Sequence, residues 1–320
     1  MTTLLDIDSL DVFYGRAHAV RNVSLRIDSG DVLGIVGESG SGKSTLGLAI
    51  LGLLPEYARV RGRVDFEGRD LSSFTGPEKR KLLGDRLSTI PQSSMSALDP
   101  VYRVGEQMVE AFMAHRDIPA AEARRLAVKW LADVGIPAPE TRAQSYPHEL
   151  SGGTRQRVTI ATALALNPSL LIADEPTSAL DVTIQAQIIR LLKALIREHA
   201  GAVILITHDL GVIAQLCNRV AVMYAGQIVE EAPVGELFSH ARHPYTQALL
   251  ASHPALGTRG ERLRTIPGRV PDLADLPVGC SFQPRCRFAI ETCMLAPPWA
   301  KLNEAHAARC VLPGGIDGAA

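Results

Sequence analysis

The stretch Gly37-Glu38-Ser39-Gly40-Ser41-Gly42-Lys43-Ser44-Thr45 constrains this chain more than any other. It fits G-x-x-x-x-G-K-[ST], a loop that joins a buried strand to a helix. Both flanks comply. Val32-Leu33-Gly34-Ile35-Val36 is an apolar run of strand length, and the residues from Leu46 to Leu54 read as the start of a helix. Glycines let the backbone close around phosphate oxygens that a Cβ would obstruct. Backbone N–H groups and the helix N-terminus then face the anion. In such a cradle, formed by Gly37, Ser39, Gly40, Gly42 and Thr45, Lys43 reaches the β- and γ-phosphates and Ser44 holds Mg²⁺.

The 320 residues suffice for one large domain or two modest ones. With 46% hydrophobic and 21% charged residues the balance is ordinary for a globular chain, and the formal net charge of −1 carries no electrostatic footprint of a nucleic-acid binder. No apolar run has the length of a membrane span, and Met1-Thr2-Thr3-Leu4-Leu5-Asp6 is not the start of a secretory signal. A cytoplasmic protein is expected, with any membrane role exerted through a partner.

Residues 2–28 alternate in short runs, such as Leu4-Leu5-Asp6-Ile7-Asp8 and Val23-Ser24-Leu25-Arg26-Ile27, which predict a half-exposed antiparallel sheet. Between about 104 and 135 the period turns helical through Val109, Phe112, Met113, Leu126, Trp130 and Leu131. A helix is expected after Ser151-Gly152-Gly153, a buried strand at Leu170-Leu171-Ile172-Ala173, a helix over about 183–198 and a strand from Ala202 to Thr207. Residues 220–230 predict a hairpin turning at Ala225-Gly226. Beyond about 236 the periodicity fades while Pro, Cys and Arg become frequent, and the 313–320 tail is expected to fray.

Several further residues fall where a nucleotide site would need them. Asp174 closes a buried strand and suits an Mg²⁺ anchor, and Glu175 beside it can polarise an attacking water. Gln92 and His208 each follow a short apolar strand; Gln92 can bind Mg²⁺ or water, and His208 can hydrogen-bond the γ-phosphate. Ser151, as an N-cap ahead of Gly152 and Gly153, makes a second helix start suited to an anion.

Taken in order, the phosphate loop, Gln92, Leu150-Ser151-Gly152-Gly153, Asp174-Glu175, Ser178-Ala179-Leu180-Asp181 and His208 resemble the ATP-binding cassette (ABC) ATPase family over roughly residues 3–235. The resemblance implies an α/β fold: a P-loop ATPase core with an antiparallel β subdomain, a helical subdomain at about 93–165 and a small Cys-containing C-terminal appendage, so that 1–235 form the ATPase domain and 236–320 a C-terminal region. It implies ATP and Mg²⁺ as cofactors, with Tyr14 stacking on adenine and Glu175, His208 and Gln92 as the catalytic set. It also implies that Ser151, Gly152 and Gly153 contact the nucleotide of a second ATPase subunit and that Asp181 links the two sites.

His243-Pro244-Tyr245-Thr246-Gln247-Ala248-Leu249-Leu250, Ile266-Pro267-Gly268 and Gly279-Cys280-Ser281-Phe282-Gln283-Pro284-Arg285-Cys286 resemble the C-terminal region of oligopeptide and dipeptide importer ATPases. The implied partners are a second ATPase subunit, two membrane permeases and, indirectly, a solute-binding protein. The implied place is the cytoplasmic face of the inner membrane, and the implied cargo is a peptide. Import of nickel or an oligosaccharide, and a soluble ATPase acting on nucleic acid, are the alternatives. Cys280, Cys286, Cys293 and Cys310 could hold a [4Fe–4S] cluster or zinc, or be unrelated buried thiols; the lack of close C-x₂₋₄-C pairs favours iron–sulfur. Cys217 is expected in the core, outside this set.

Overall fold

The computed structural model describes residues 2–178, 180–253 and 265–312; Ala179 of the 178–181 loop and the 313–320 tail lie outside them. In chain order, β1 (Thr3–Tyr14) and β2 (Ala17–Asp28) are followed by β3 (Val32–Val36), α1 (Lys43–Leu51), β4 (Ala58–Phe66) and β5 (Arg69–Asp70). Next come α2 (Gly76–Leu82), β6 (Leu87–Ile90), α3 (Ser94–Ala97), α4 (Val104–His115), α5 (Ala120–Asp133), α6 (Pro139–Ala143), α7 (Gly152–Leu164), β7 (Leu170–Asp174) and α8 (Val182–His199). The chain continues through β8 (Ala202–Thr207), α9 (Leu210–Leu216), β9 (Arg219–Tyr224), β10 (Gln227–Pro233), α10 (Val234–His240), α11 (Pro244–Ala251), β11 (Trp299–Lys301) and β12 (Ala307–Arg309).

These elements divide into two compact units that do not follow sequence order. Among the described residues, one is built mainly from 73–204 and the other from 5–27, 31–72, 205–253 and 265–312. In the first, β6 and β7 pair in parallel, Leu87 opposite Leu170 and Ile90 opposite Ala173. The apolar run Leu170-Leu171-Ile172-Ala173 is buried throughout, as an interior parallel strand requires. The helical stretch α4–α6 forms as the period predicts, but its buried face is narrower than the pattern suggests. Val104, Met108 and Phe112 enter the core, while Val109 and Met113 line a groove of about 600 Å³ with Arg124, Val128 and Gln144. Met113 is 48% exposed.

In the second unit, the expected alternation holds. Leu5, Ile7, Leu10 and Val12 of β1 point inward, as do Val23, Leu25 and Ile27 of β2. β1 pairs antiparallel with β4, Leu5 opposite Phe66, with a register shift between Asp8 and Asp11. β3 lies parallel to β9, Ile35 opposite Ala221. β9 and β10 form the expected hairpin around Ala225 and Gly226, both at positive φ.

The region beyond 236, where periodicity fades, nonetheless extends this sheet. β12 pairs antiparallel with β10, placing Ala308 opposite Glu230, and β11 pairs with β12. Strands of only three residues leave too little alternation to read. They are held by a buried polar cluster. Glu230 accepts from the backbone N–H of Arg242 (2.6 Å) and His243 (2.9 Å) and meets His306 Nε2 at 2.8 Å. His306 Nδ1 meets Glu236 at 3.0 Å. Hydrogen bonds donated by the imidazole to Glu230 and then to Glu236 raise the His306 pKa.

His243 is 1% exposed, and its Nδ1 accepts the Tyr245 N–H at 3.0 Å, which needs an unprotonated nitrogen. Burial pushes its pKa down to about 4. The signs differ for the two imidazoles. A raised folded pKa gives His306 a contribution present below the ordinary value of about 6.5 and lost as pH rises through the folded pKa. A lowered one gives His243 a contribution present above about 6.5 and lost as pH falls toward 4, worth at most ~3 kcal/mol. The stability difference between the native chain and His243→Asn, from urea unfolding, should therefore shrink between pH 7 and pH 4. A constant difference would show that His243 is not held neutral.

Candidate functional site

The phosphate-loop residues lie together in the second unit, between the end of β3 and the start of α1. The loop packs too closely for side chains at two of its glycines. A Cβ on Gly37 would collide with the Met223 carbonyl oxygen, and one on Gly42, at φ +99°, with that of Ala19. Gly42 is also the N-cap of α1 and supplies no side-chain cap, and the first turn holds no acidic residue. A helix start with neither a side-chain cap from its N-cap residue nor an acidic first turn suits an anion. Lys43 is buried, and its Nζ donates to the carbonyls of Gly37 (2.8 Å) and Glu38 (2.9 Å), with Ser41 Oγ at 3.4 Å. Ser39, Gly40 and Ser44 are exposed and Thr45 half-buried.

Two residues expected nearby fall in the same unit. Tyr14 ends β1 half-buried, its ring 6.0 Å from that of Tyr57, which is 72% exposed. His208 is exposed after β8, ahead of Asp209, which caps α9.

The first unit holds the remaining set. Gln92, beyond β6, donates from Nε2 to Glu175 Oε2 at 3.0 Å, so two residues separated by 83 positions meet. Glu175 sits at φ 46°, a strained conformation for a non-glycine residue, and Ser178 Oγ donates to its carbonyl at 2.9 Å. Asp174 ends β7 half-buried. Ser151 caps α7 by accepting the Thr154 N–H (3.3 Å), and its exposed hydroxyl also meets Thr154 Oγ1 at 2.8 Å. Gly152 and Gly153 follow half-buried. Arg155 and Arg157 point inward, the first to the carbonyls of Pro147 and Leu150, the second to that of Val134. Asp181 is the N-cap of α8, accepting the Ile184 N–H at 2.9 Å, a structural duty that its place before a helix could have signalled.

Cys280, Cys286, Cys293 and Cys310 converge on one narrow cavity with Phe282, Phe288 and Pro297; Cys217 lies apart, at the end of α9. Burial pushes the Cys280 thiol up to about 11 and raises those of Cys286 and Cys310, so these groups are protonated thiols near neutrality. Among the described residues no group of three or more His, Cys, Asp or Glu side chains is set to hold a metal ion. The iron–sulfur expectation gains no support from this geometry, in which Cys280 and Cys286 are half-buried and Cys293 and Cys310 buried.

A residue that motif reading missed is Arg285, which forms a bidentate ion pair with Glu38 of the phosphate loop. In the sequence it stands within the Gly279–Cys286 stretch that carries the C-terminal resemblance, with nothing local to assign it a partner.

Comparison with known proteins agrees with this geometry. The family model for ABC transporters matches residues 20–178, and that for the oligopeptide/dipeptide transporter C-terminal region matches 229–293. The chain is 48% identical over 329 residues to a putative peptide import ATP-binding protein of Brucella abortus, covering 96% of each chain. It is 45% identical over 316 residues to the oligopeptide transport ATP-binding protein OppD of Haemophilus influenzae, covering 98% of each. Among solved structures, a dimeric ATP-binding cassette bound to ADP and Pi in a post-hydrolysis state is similar with a TM-score of 0.64 and 29% identity, over 72% of this chain and 99% of that one.

Gly42→Ala should abolish retention of the chain on immobilised ATP, because the new Cβ meets backbone that cannot move aside. Native-like retention would exclude this loop as the anion site.

Proposed function

The chain belongs to the ABC transporter family, and we propose that it is the ATP-hydrolysing subunit of a peptide importer, working with ATP and Mg²⁺. The observation that carries this is the phosphate loop itself: a buried lysine beside an uncapped helix N-terminus, within a chain matched along most of its length by peptide-import ATP-binding proteins. In this reading Lys43 and the N–H groups of α1 bind the β- and γ-phosphates, Ser44, Gln92 and Asp174 serve Mg²⁺, and Tyr14 supports the adenine.

Glu175 is the proposed general base. Gln92 Nε2 donates to its carboxylate at 3.0 Å, which holds the side chain at the strand end where a base is needed and supports the assignment. His208 is the proposed γ-phosphate contact. Ser151, Gly152 and Gly153 are proposed to face the nucleotide of a second ATPase subunit, and Asp181 to couple the two sites as well as capping α8. Hydrolysis then resets a dimer that ATP closes.

No helix among the described residues is long and apolar enough to cross a membrane. Attachment through two permeases at the cytoplasmic face is the corresponding proposal, with a solute-binding protein engaged only indirectly. The groove bordered by Val109, Met113 and Val128 suits a permease helix. Gln107 of α4 pins the adjoining 99–102 loop through Asp99 and Tyr102, leaving Val101 and Tyr102 exposed.

For the cysteines, the finer reading is a [4Fe–4S] cluster with zinc as the alternative. Convergence of four soft donors on one cavity supports it, and the lack of a ligating arrangement counts against it. Metal analysis of anaerobically purified protein decides: about four irons per chain for a cluster, about one zinc for a zinc site, neither for a plain thiol core.

Glu175→Gln should keep ATP affinity, lower turnover by at least about a hundredfold and accumulate a nucleotide-bound dimer on gel filtration. Native turnover would remove Glu175 as the base. Recovery of two permeases with the native chain from solubilised membranes tests the transport assignment, and their absence would overturn it.

A further inference from the structure

Glu38 lies inside the phosphate loop, yet residues far along the chain hold it. Arg285 donates from Nη1 to one carboxylate oxygen (2.7 Å) and from Nη2 to the other (3.0 Å). The Glu38 N–H donates to Tyr245 Oη at 2.8 Å, and its carbonyl accepts from Lys43 Nζ at 2.9 Å. Arg285 is fixed in turn: its Nε donates to the Pro267 carbonyl (2.7 Å), Nη1 reaches Tyr224 Oη (3.2 Å), and its side chain is 4% exposed. The rings of Tyr224, Tyr245 and Phe282 pack against one another around it, with centroids 4.6–5.4 Å apart. A guanidinium this enclosed needs a carboxylate in fork geometry, and the one that serves it belongs to the loop.

We propose that Arg285 is a positioning residue for the phosphate cradle, acting through Glu38 on Lys43, so that nucleotide affinity is set partly by a residue 247 positions away. The inference rests on the phosphate-loop reading above. A fixed Glu38 holds one of the acceptors of the lysine ammonium and orients the loop amides before the anion arrives, which lowers the ordering cost of binding. Cys286 follows Arg285 and lines the cysteine cavity, so the same strap joins that cavity to the loop.

The test is binding of a ribose-labelled fluorescent ATP, as its Mg²⁺ complex, to the full chain. Arg285→Lys keeps the charge but loses the fork, and Glu38→Gln keeps the shape but loses the charge. Each should raise Kd about tenfold, and the double variant should bind no more weakly than the worse single. A purely structural role predicts a lower unfolding temperature with unchanged Kd, and that result overturns the proposal. Should Arg285→Lys not fold, Glu38→Gln decides alone, native affinity again overturning it. Lys43→Ala separates the two levels: native binding by that variant would overturn the phosphate-loop reading itself. Loss of binding there, with native affinity in the other two, would overturn only the role of Arg285.

Discussion

Glu38 accepts two hydrogen bonds from Arg285 on its carboxylate and one from Lys43 on its carbonyl, and gives its N–H to Tyr245. Much of the second unit converges on these bonds. The strand β3 delivers the loop, the β9–β10 hairpin brings Tyr224, α11 brings Tyr245, and the segment after Phe282 brings Arg285. Each of those elements has its own reason to be there. Tyr245 is aligned by His243, whose backbone N–H is fixed by Glu230, and Glu230 is the residue on which His306 and β12 close. A loop that must present bare N–H groups to an anion gains little from its own side chains, so its rigidity has to come from outside it.

What could be read in the sequence follows from how local the governing physics is. The phosphate loop, its flanking strand and helix, the alternation of β1 and β2 and the Ala225–Gly226 hairpin are set by contacts or backbone needs within a few residues, and they stand as expected. Gln92 and Glu175 each follow a strand, and the contact between them depends on β6 and β7 pairing in parallel, which the sequence reading did not state. The Glu38–Arg285 pair has no such signature: a buried ion pair depends on where two distant segments cross, which composition does not encode. The helical stretch misled in a smaller way. Its apolar period covers both a core face and a groove, and Val109 and Met113 have the chemistry of the first and the place of the second.

The C-terminal region shows the same distinction. Its fading periodicity reads as an appendage, yet two short strands extend the sheet edge and a polar cluster buried among them fixes the geometry. Hydrophobic pattern cannot announce a structure whose order comes from Glu230, His306 and Glu236. The four cysteines are intermediate. Their grouping near the end of the chain suggested a common purpose, and they do share one cavity, but no ligating arrangement among the described residues marks them as a metal site.

If Arg285 and Tyr245 preset the phosphate loop, the Glu38 amide is protected before nucleotide arrives. Hydrogen exchange at the Glu38 amide in the nucleotide-free chain tests it most directly. Slow exchange is expected at Glu38, accelerated by Tyr245→Phe, beside fast exchange at exposed Ser39 and Gly40. Exchange at Glu38 as fast as at its two neighbours would contradict it.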